Sequence, residues 1–228
     1  MTLADKIIKF NNSLGLKVKL PNKIKVMNPF KEGEYAFEIS SKFYKKYYSD
    51  NKIRKMILGI NPGRFGAGVT GIPFTDTKRL NNKCKIKFPK LHTHEPSSVF
   101  IYDVIDKYGG VDKFYKDFYI TSLSPLGFVI QNTKGKEVNY NYYDNKELSE
   151  VVKPFIIKTL KSQINFGFNR DVCFCLGSGK NYAFLDKLNK EYKFFNSIIP
   201  LEHPRYIMQY KSKAKEQYIN KFIYKLNK

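Results

Sequence analysis

Residues 54–76 read RKMILGINPGRFGAGVTGIPFTD. Met56-Ile57-Leu58-Gly59-Ile60 is a short apolar run with the pattern of a strand buried on both faces. It leads directly into the turn Asn61-Pro62-Gly63, with further glycines at 66, 68 and 71. A buried strand that empties into such a loop reads as the carboxyl end of a central parallel strand, the edge at which open α/β sheets bind ligands. An ordinary strand exit has the same local pattern, so the rest of the chain has to decide.

Three more apolar runs repeat the arrangement. Asp117 to Thr121 empties into Ser122-Leu123-Ser124-Pro125-Leu126-Gly127. Asp171 to Leu176 runs into Gly177-Ser178-Gly179-Lys180, and Phe195 to Pro200 ends in Leu201-Glu202-His203-Pro204-Arg205-Tyr206. Apolar periodicity predicts helices over 5–13, 32–48, 146–164 (kinked or begun near Pro154), 180–192 and 212–226. A further helix is expected from a Ser97 or Ser98 cap to Gly109-Gly110. Turns are expected at Pro21-Asn22 and Asn28-Pro29-Phe30. Residues 78–91 read as a basic loop, and 131–144 as a polar excursion, either a hairpin or an ordered loop.

Alternating strands and helices of this kind predict an α/β domain of three layers, α/β/α, around a central four-stranded, mainly parallel sheet. One domain over 1–228 is expected, with the first fifty residues a helical extension packed on it. Asn61, Ser122, Gly177 to Lys180 and His203 would then share one sheet edge and one cleft.

The chain carries 41 Lys and Arg against 20 Asp and Glu, a formal charge of +21, which favours a polyanionic partner and nucleic acid before a membrane. Only five of the basic residues are arginine (54, 64, 79, 170 and 205), so a lysine-rich coding bias also accounts for the surplus. No apolar run approaches the roughly 18 to 20 residues needed to span a bilayer, so no membrane role is expected. The amino-terminal residues lack a signal-peptide pattern, and the cytoplasm is the expected compartment. Cys84, Cys173 and Cys175 are too few for a disulfide framework or a four-cysteine cluster, and the last two alternate within an apolar strand as core residues do. His92, His94 and Glu95 lie close together but not at helical H-E-x-x-H spacing, and no metal is predicted. Gly177-Ser178-Gly179-Lys180 can cradle an anion at a helix start but lacks the pattern of an ATP-binding loop. No cofactor is expected.

Gly59-Ile60-Asn61-Pro62-Gly63, Phe65-Gly66 and Thr70-Gly71-Ile72-Pro73-Phe74 resemble the first motif of the single-strand-selective monofunctional uracil-DNA glycosylases. His203-Pro204-Arg205 is similar to their second motif, H-P-S-P-R, shortened by two residues. Ser122 to Leu126 occupies the place of their N-x-C-P-L stretch. The resemblance covers about residues 54 to 210 and identifies the chain as a divergent bacterial branch of the uracil-DNA glycosylase superfamily, whose α/β/α fold agrees with the strand pattern.

The resemblance implies a monomeric, monofunctional enzyme of base-excision repair that flips a base out of DNA and hydrolyses its glycosidic bond. It implies that Asn61 holds the attacking water and that His203 donates to the departing base. Phe74 would stack on that base and Ser122 would read its edge. Backbone N–H groups near Ile60, Gly63 and Gly66 would add donors. Arg205, Tyr206, Met208 and Gln209 fall where the family carries its wedge into the vacated stack. Arg64 and Lys180 are candidate phosphate contacts.

Ser122 stands where the family has asparagine. A hydroxyl donates or accepts by rotating, which opens the site to other damaged bases such as 5-hydroxymethyluracil or xanthine. The cysteine count argues against the iron–sulfur branches. A non-catalytic nucleic-acid-binding relative and a nucleoside-processing enzyme are the other readings.

Overall fold

The structure, a computed structural model, describes residues 1–21, 23–89 and 92–228. Thr2 opens helix α1 (Leu3–Ser13) with a capping box: its hydroxyl accepts from Asp5 N–H while the Asp5 carboxylate accepts from Thr2 N–H. Strand β1 (Ile24–Met27) and the single turn α2 (Pro29–Glu32) precede α3 (Ala36–Tyr48), which buries Ile39, Phe43, Tyr44, Tyr47 and Tyr48. Then come β2 (Lys55–Gly59), the turn α4 (Ala67–Thr70), α5 (Thr77–Asn82), α6 (Pro96–Tyr108) and α7 (Val111–Asp117). Strands β3 (Phe118–Ser122), β4 (Gly127–Gln131) and β5 (Glu137–Tyr140) follow. The remainder alternates α8 (Lys146–Ile164), β6 (Val172–Leu176), α9 (Lys180–Tyr192), β7 (Ser197–Leu201), α10 (Pro204–Tyr210) and α11 (Lys215–Leu226).

The central sheet has the order β3-β2-β6-β7 with every pairing parallel, and helices flank it. Leu58 lies opposite Thr121 on one side and Cys175 on the other. All of β3 and β6 is buried, and so is β2 from Met56 onward, which is why these strands read as continuous apolar runs without alternation. Cys173 and Cys175 are core residues, and all three cysteines are free thiols. Among the described residues no helix is long and apolar enough to cross a membrane.

A second, antiparallel sheet, β1-β4-β5, departs from the expected pattern. The extension before residue 50 is therefore not wholly helical, because Ile24–Met27 pairs with β4. Half of the 131–144 excursion is a hairpin closed by Asn132 N–H to Lys136 O (2.9 Å). Residues 32–48 divide at Gly33 into α2 and α3. The stretch read as a basic loop holds α5, capped by Asp76. Its last residues, Lys90 and Leu91, and Asn22 of the Pro21-Asn22 turn lie outside the described residues. Helix α6 begins at Pro96 rather than beyond a serine cap, since the fixed φ of proline suits the first helical position. Ser98 instead accepts from Asp76 N–H (3.2 Å). Helix α8 is continuous across Pro154 despite the missing donor.

Arg54, 1% exposed, enters β2 from beneath. Its Nε donates to Tyr115 O (2.7 Å), one terminal nitrogen to Asp50 (2.7 Å) and Lys52 O (3.1 Å), and the other to Tyr47 O (3.2 Å) and Asp50 (3.1 Å). The guanidinium also lies 4.9 Å from the centre of the Tyr48 ring. A buried cation is tolerated when every donor is paired, and this one is. Arg54 is thus a structural residue that ties α3 and α7 to the central strand. Replacing it, Arg54→Met, leaves those carbonyls without a donor and should cost about 3 to 5 kcal/mol in urea unfolding at neutral pH. The bonds from Arg54 hold the Asp50 carboxyl below its ordinary value of 3.8, so their contribution is present above that value and lost as the pH falls through the lowered one. The stability gap between wild type and variant should narrow over that window.

Candidate active site

A cleft of about 640 Å³ opens at the carboxyl ends of the central strands. Past β2 the ladder continues for two residues, with Leu123 N–H donating to Gly59 O (3.0 Å) and Ser124 N–H to Ile60 O (3.1 Å). Asn61 is delivered to the cleft at this point, and its amide is clamped by the backbone at and after β5. Nδ2 donates to Tyr140 O (3.2 Å) and Oδ1 accepts from Tyr142 N–H (3.2 Å). One lone pair of Oδ1 remains free, because an amide oxygen accepts two bonds. Tyr142 OH donates to Asn181 (2.8 Å), whose amide donates to Leu176 O (2.9 Å), so the same network reaches the exit of β6.

Phe74 sits in the left-handed backbone region, φ +53°, and its ring covers Gly59. A Cβ at Gly59 would meet that ring at 2.8 Å and Ser122 Oγ at 3.4 Å, so the glycine is what lets ring and hydroxyl approach the strand end together. Ser122 is 5% exposed, and its hydroxyl makes no hydrogen bond to a described residue. The Phe74 ring centre lies 5.9 Å from that of His203.

His203 is the cap of α10. Its Nδ1 accepts from Arg205 N–H (3.2 Å), which leaves Nε2 to carry the proton of the neutral ring. Burial, with the Arg205 cation added, pushes the imidazole pKa down to about 4. At neutral pH the cleft therefore presents an uncharged N–H donor opposite Phe74.

Of the other sequence-predicted residues, Ile60, Gly63, Lys180, Arg205, Tyr206 and Gln209 line the cleft. Arg64 turns away, its guanidinium donating to Glu137 O and its N–H to Asn139 Oδ1 (2.9 Å). The N–H of Gly66 is taken by Gly63 O (3.3 Å) and is not a spare donor. Met208 packs against the core outside the cleft. Tyr206 (44% exposed) pairs instead with Tyr210 (65% exposed), ring centres 5.6 Å apart, at the cleft rim. Residues 204–210 form a helix where a loop was read. The signal was a polar residue followed by proline at the first helical position.

The 137–143 segment, read only as a polar excursion, contributes Asn139, Asn141 and Tyr143 to the cleft. Nothing in its local sequence marks this. Glu95 also lines the cleft: a Cβ at Gly63 would lie 3.2 Å from its Oε1 and a Cβ at Gly66 1.9 Å from its Oε2. Burial, then the Asp76 carboxylate, raises its pKa to about 7, with Arg205 opposing. His94 is engaged with Arg79 (2.9 Å), and among the described residues no cluster of His, Cys, Asp or Glu could hold a metal.

The family model for the uracil DNA glycosylase superfamily matches residues 45–227. No curated protein gives a significant match. Among solved structures, the chain is similar to one titled the crystal structure of wild-type Pedobacter heparinus SMUG2. The identity is 54% and the TM-score 0.97, over 100% of this chain and 97% of that one.

The electrostatics of the cleft predict how one substitution acts on two groups. Arg205 lowers the pKa of both His203 and Glu95. In Arg205→Ala both should titrate at higher pH than in wild type, read by NMR from the imidazole and side-chain carboxyl resonances. Unmoved titrations would mean that Arg205 lies too far from both.

Proposed function

Because the chain belongs to the uracil DNA glycosylase superfamily, we propose that it is a monofunctional DNA glycosylase that hydrolyses the N-glycosidic bond of uracil or a related damaged base in DNA. The observation that carries this reading is that Asn61, Phe74, Ser122 and His203, far apart in sequence, line one cleft at the sheet edge. Breaking the bond between C1′ and the base nitrogen builds positive charge on the sugar and negative charge on the base, as in other glycoside cleavage. Phe74 provides a face on which the flipped base stacks, and the His203 Nε2–H is a fixed donor for a base oxygen as charge arrives there. A neutral donor suits this role, since it is already oriented and stays protonated throughout the physiological range. The free lone pair of Asn61 Oδ1 holds the attacking water in place.

The lysine-rich surface, with Arg205, Lys180 and the Tyr206–Tyr210 pair at the rim, suits a DNA strand approaching the cleft through its phosphates and stacked bases. The unbonded Ser122 hydroxyl supports a base range wider than uracil alone. Among the described residues the one lysine lining the cleft is Lys180, read as a phosphate contact at the rim, which favours hydrolysis without strand cleavage.

Single-stranded and duplex oligonucleotides carrying uracil, 5-hydroxymethyluracil, xanthine or hypoxanthine provide the test. Wild-type protein should release at least one of these bases. His203→Ala and Asn61→Ala should each slow release by about 100- to 1,000-fold, the usual cost of losing one oriented polar group, with DNA affinity changed only a few-fold. DNA binding without release of any base would overturn the reading in favour of a non-catalytic relative. Turnover of free nucleosides would favour a nucleoside-processing enzyme.

A further inference from the structure

We propose that Glu95 is a further catalytic residue of this site: its carboxylate faces the sugar of the flipped nucleotide, stabilises the positive charge that develops there and takes the proton of the attacking water. The proposal rests on the glycosylase reading and adds the one group that the reading otherwise lacks, a proton acceptor.

The cleft has two sides of different chemistry. On one, Phe74 and Ser122 approach Gly59 and His203 lies beyond the Phe74 ring, offering a stacking face, a hydroxyl and an N–H donor. These groups suit a base that leaves as an anion. On the other, Asn61 is fixed to the β5 backbone, and Gly63, two residues further on, has both Asn139 and Glu95 against it. Asn61 can orient a water but cannot remove its proton. In Glu202, the other acid lining the cleft, one oxygen is bonded to Lys221 (2.5 Å) and the carboxyl is held below the ordinary glutamate value, while the second oxygen is buried without a partner among the described residues. Glu95 accepts no hydrogen bond from any described residue.

Its position is also built. The Asp76 carboxylate accepts from Glu95 N–H (2.7 Å) and from Arg79 N–H (2.8 Å). Thr77 N–H donates to Thr93 Oγ1 (3.2 Å), and Thr93 N–H to Thr77 Oγ1 (2.7 Å). These bonds fasten residues 93–95 alongside the end of the Gly59-to-Asp76 stretch and deliver the Glu95 side chain to the loop. Gly66 leaves the room: a Cβ there would lie 1.9 Å from the carboxyl oxygen. The charged groups acting on Glu95 are Asp76, which is paired with Arg79 (itself bonded to His94), and Arg205 on α10, while the guanidinium of Arg64 is turned to β5. Burial and Asp76 leave the carboxyl poised near neutrality, where a proton acceptor works best.

The step balances as follows. The C1′–N bond breaks with its electron pair going to the base nitrogen, and the base leaves as an anion held by His203. The water oxygen bonds to C1′ as one of its protons passes to the Glu95 carboxylate. Products are the abasic sugar with its new hydroxyl and the base anion. Solvent then protonates the base and receives the proton from Glu95.

The test is single-turnover base release between pH 5.5 and 8.5, on whichever oligonucleotide wild-type protein cleaves, for wild type, Glu95→Gln and Glu95→Asp. Wild-type rates should rise with a midpoint near pH 7 and level off above it. Glu95→Gln should be about 100-fold slower or more at pH 8, with little pH dependence, and should converge on wild type at pH 5.5, where the wild-type carboxyl is protonated. Glu95→Asp, charged but shorter, should fall between them. DNA affinity by fluorescence anisotropy should be unchanged or tighter in Glu95→Gln, since a negative charge has gone. A Glu95→Gln rate within threefold of wild type at pH 8, or a deficit equal at every pH, would overturn the proposal. So would a flat wild-type profile, which needs no variant to fold. Absence of release by wild type itself overturns the glycosylase reading, and this proposal with it.

Discussion

Every nitrogen of one buried guanidinium is satisfied at the base of the central strand, and the geometry of the cleft begins there. Arg54 takes carbonyl oxygens from the end of α3 and from α7, and its charge is met by Asp50 and the Tyr48 ring. Stripped of water and unpaired, such a cation would be strongly destabilising. Fully paired, it fixes where β2 starts relative to two helices. A parallel strand in mid-sheet has little freedom once its start is set, because β3 and β6 pair with it on both sides. Its far end, and Asn61 just beyond, inherit that fixity.

The cleft is held more by backbone than by side chains. Asn61 is gripped by one carbonyl and one N–H belonging to Tyr140 and Tyr142, while His203 is oriented through Nδ1 by the N–H of Arg205. Groups oriented this way need not reorganise when charge develops, which is where oriented dipoles in a sequestered site gain their effect. The cation of Arg205 and the burial of the ring both oppose imidazolium formation, so what His203 presents at neutral pH is a fixed N–H rather than a charge. The second sheet has its purpose here. Strand β5 leads to the backbone that clamps Asn61 and brings Asn139 beside Gly63, joining the antiparallel unit to the end of β2.

The central sheet was legible because strands buried on both faces leave continuous apolar runs. The expected runs 56–60, 117–121, 171–176 and 195–200 appear as Lys55–Gly59, Phe118–Ser122, Val172–Leu176 and Ser197–Leu201. The second sheet was not, since its outer strands are four residues long and half-exposed, too short for alternation to stand out. Residues at strand ends could be grouped at one edge from order alone, and Asn61, Ser122 and His203 do line one cleft. Arg64 shows the limit. From the sequence it could reach a phosphate or merely face solvent, yet a carbonyl of β5, invisible in the local sequence, captures it. Glu95 shows the converse. Beside two histidines it drew attention as a possible metal ligand, while what distinguishes it, a seat against Gly63 and Gly66 with Asp76 behind, comes from contacts across the fold.

A protein of charge +21 that approaches a polyanion gains nothing in binding from a half-buried carboxyl in its cleft. Ionised, Glu95 disfavours nearby phosphates. Desolvated, it bears the cost of burial, which its raised pKa records. Arg205 offsets these costs only in part, and no described residue donates a hydrogen bond to the carboxyl. An interaction that is unfavourable before reaction is worth keeping when it becomes favourable at the transition state, and positive charge on the sugar appears only there. On the proposed reading, surface lysines set how tightly DNA is held, and the carboxyl inside the cleft acts on the reaction instead.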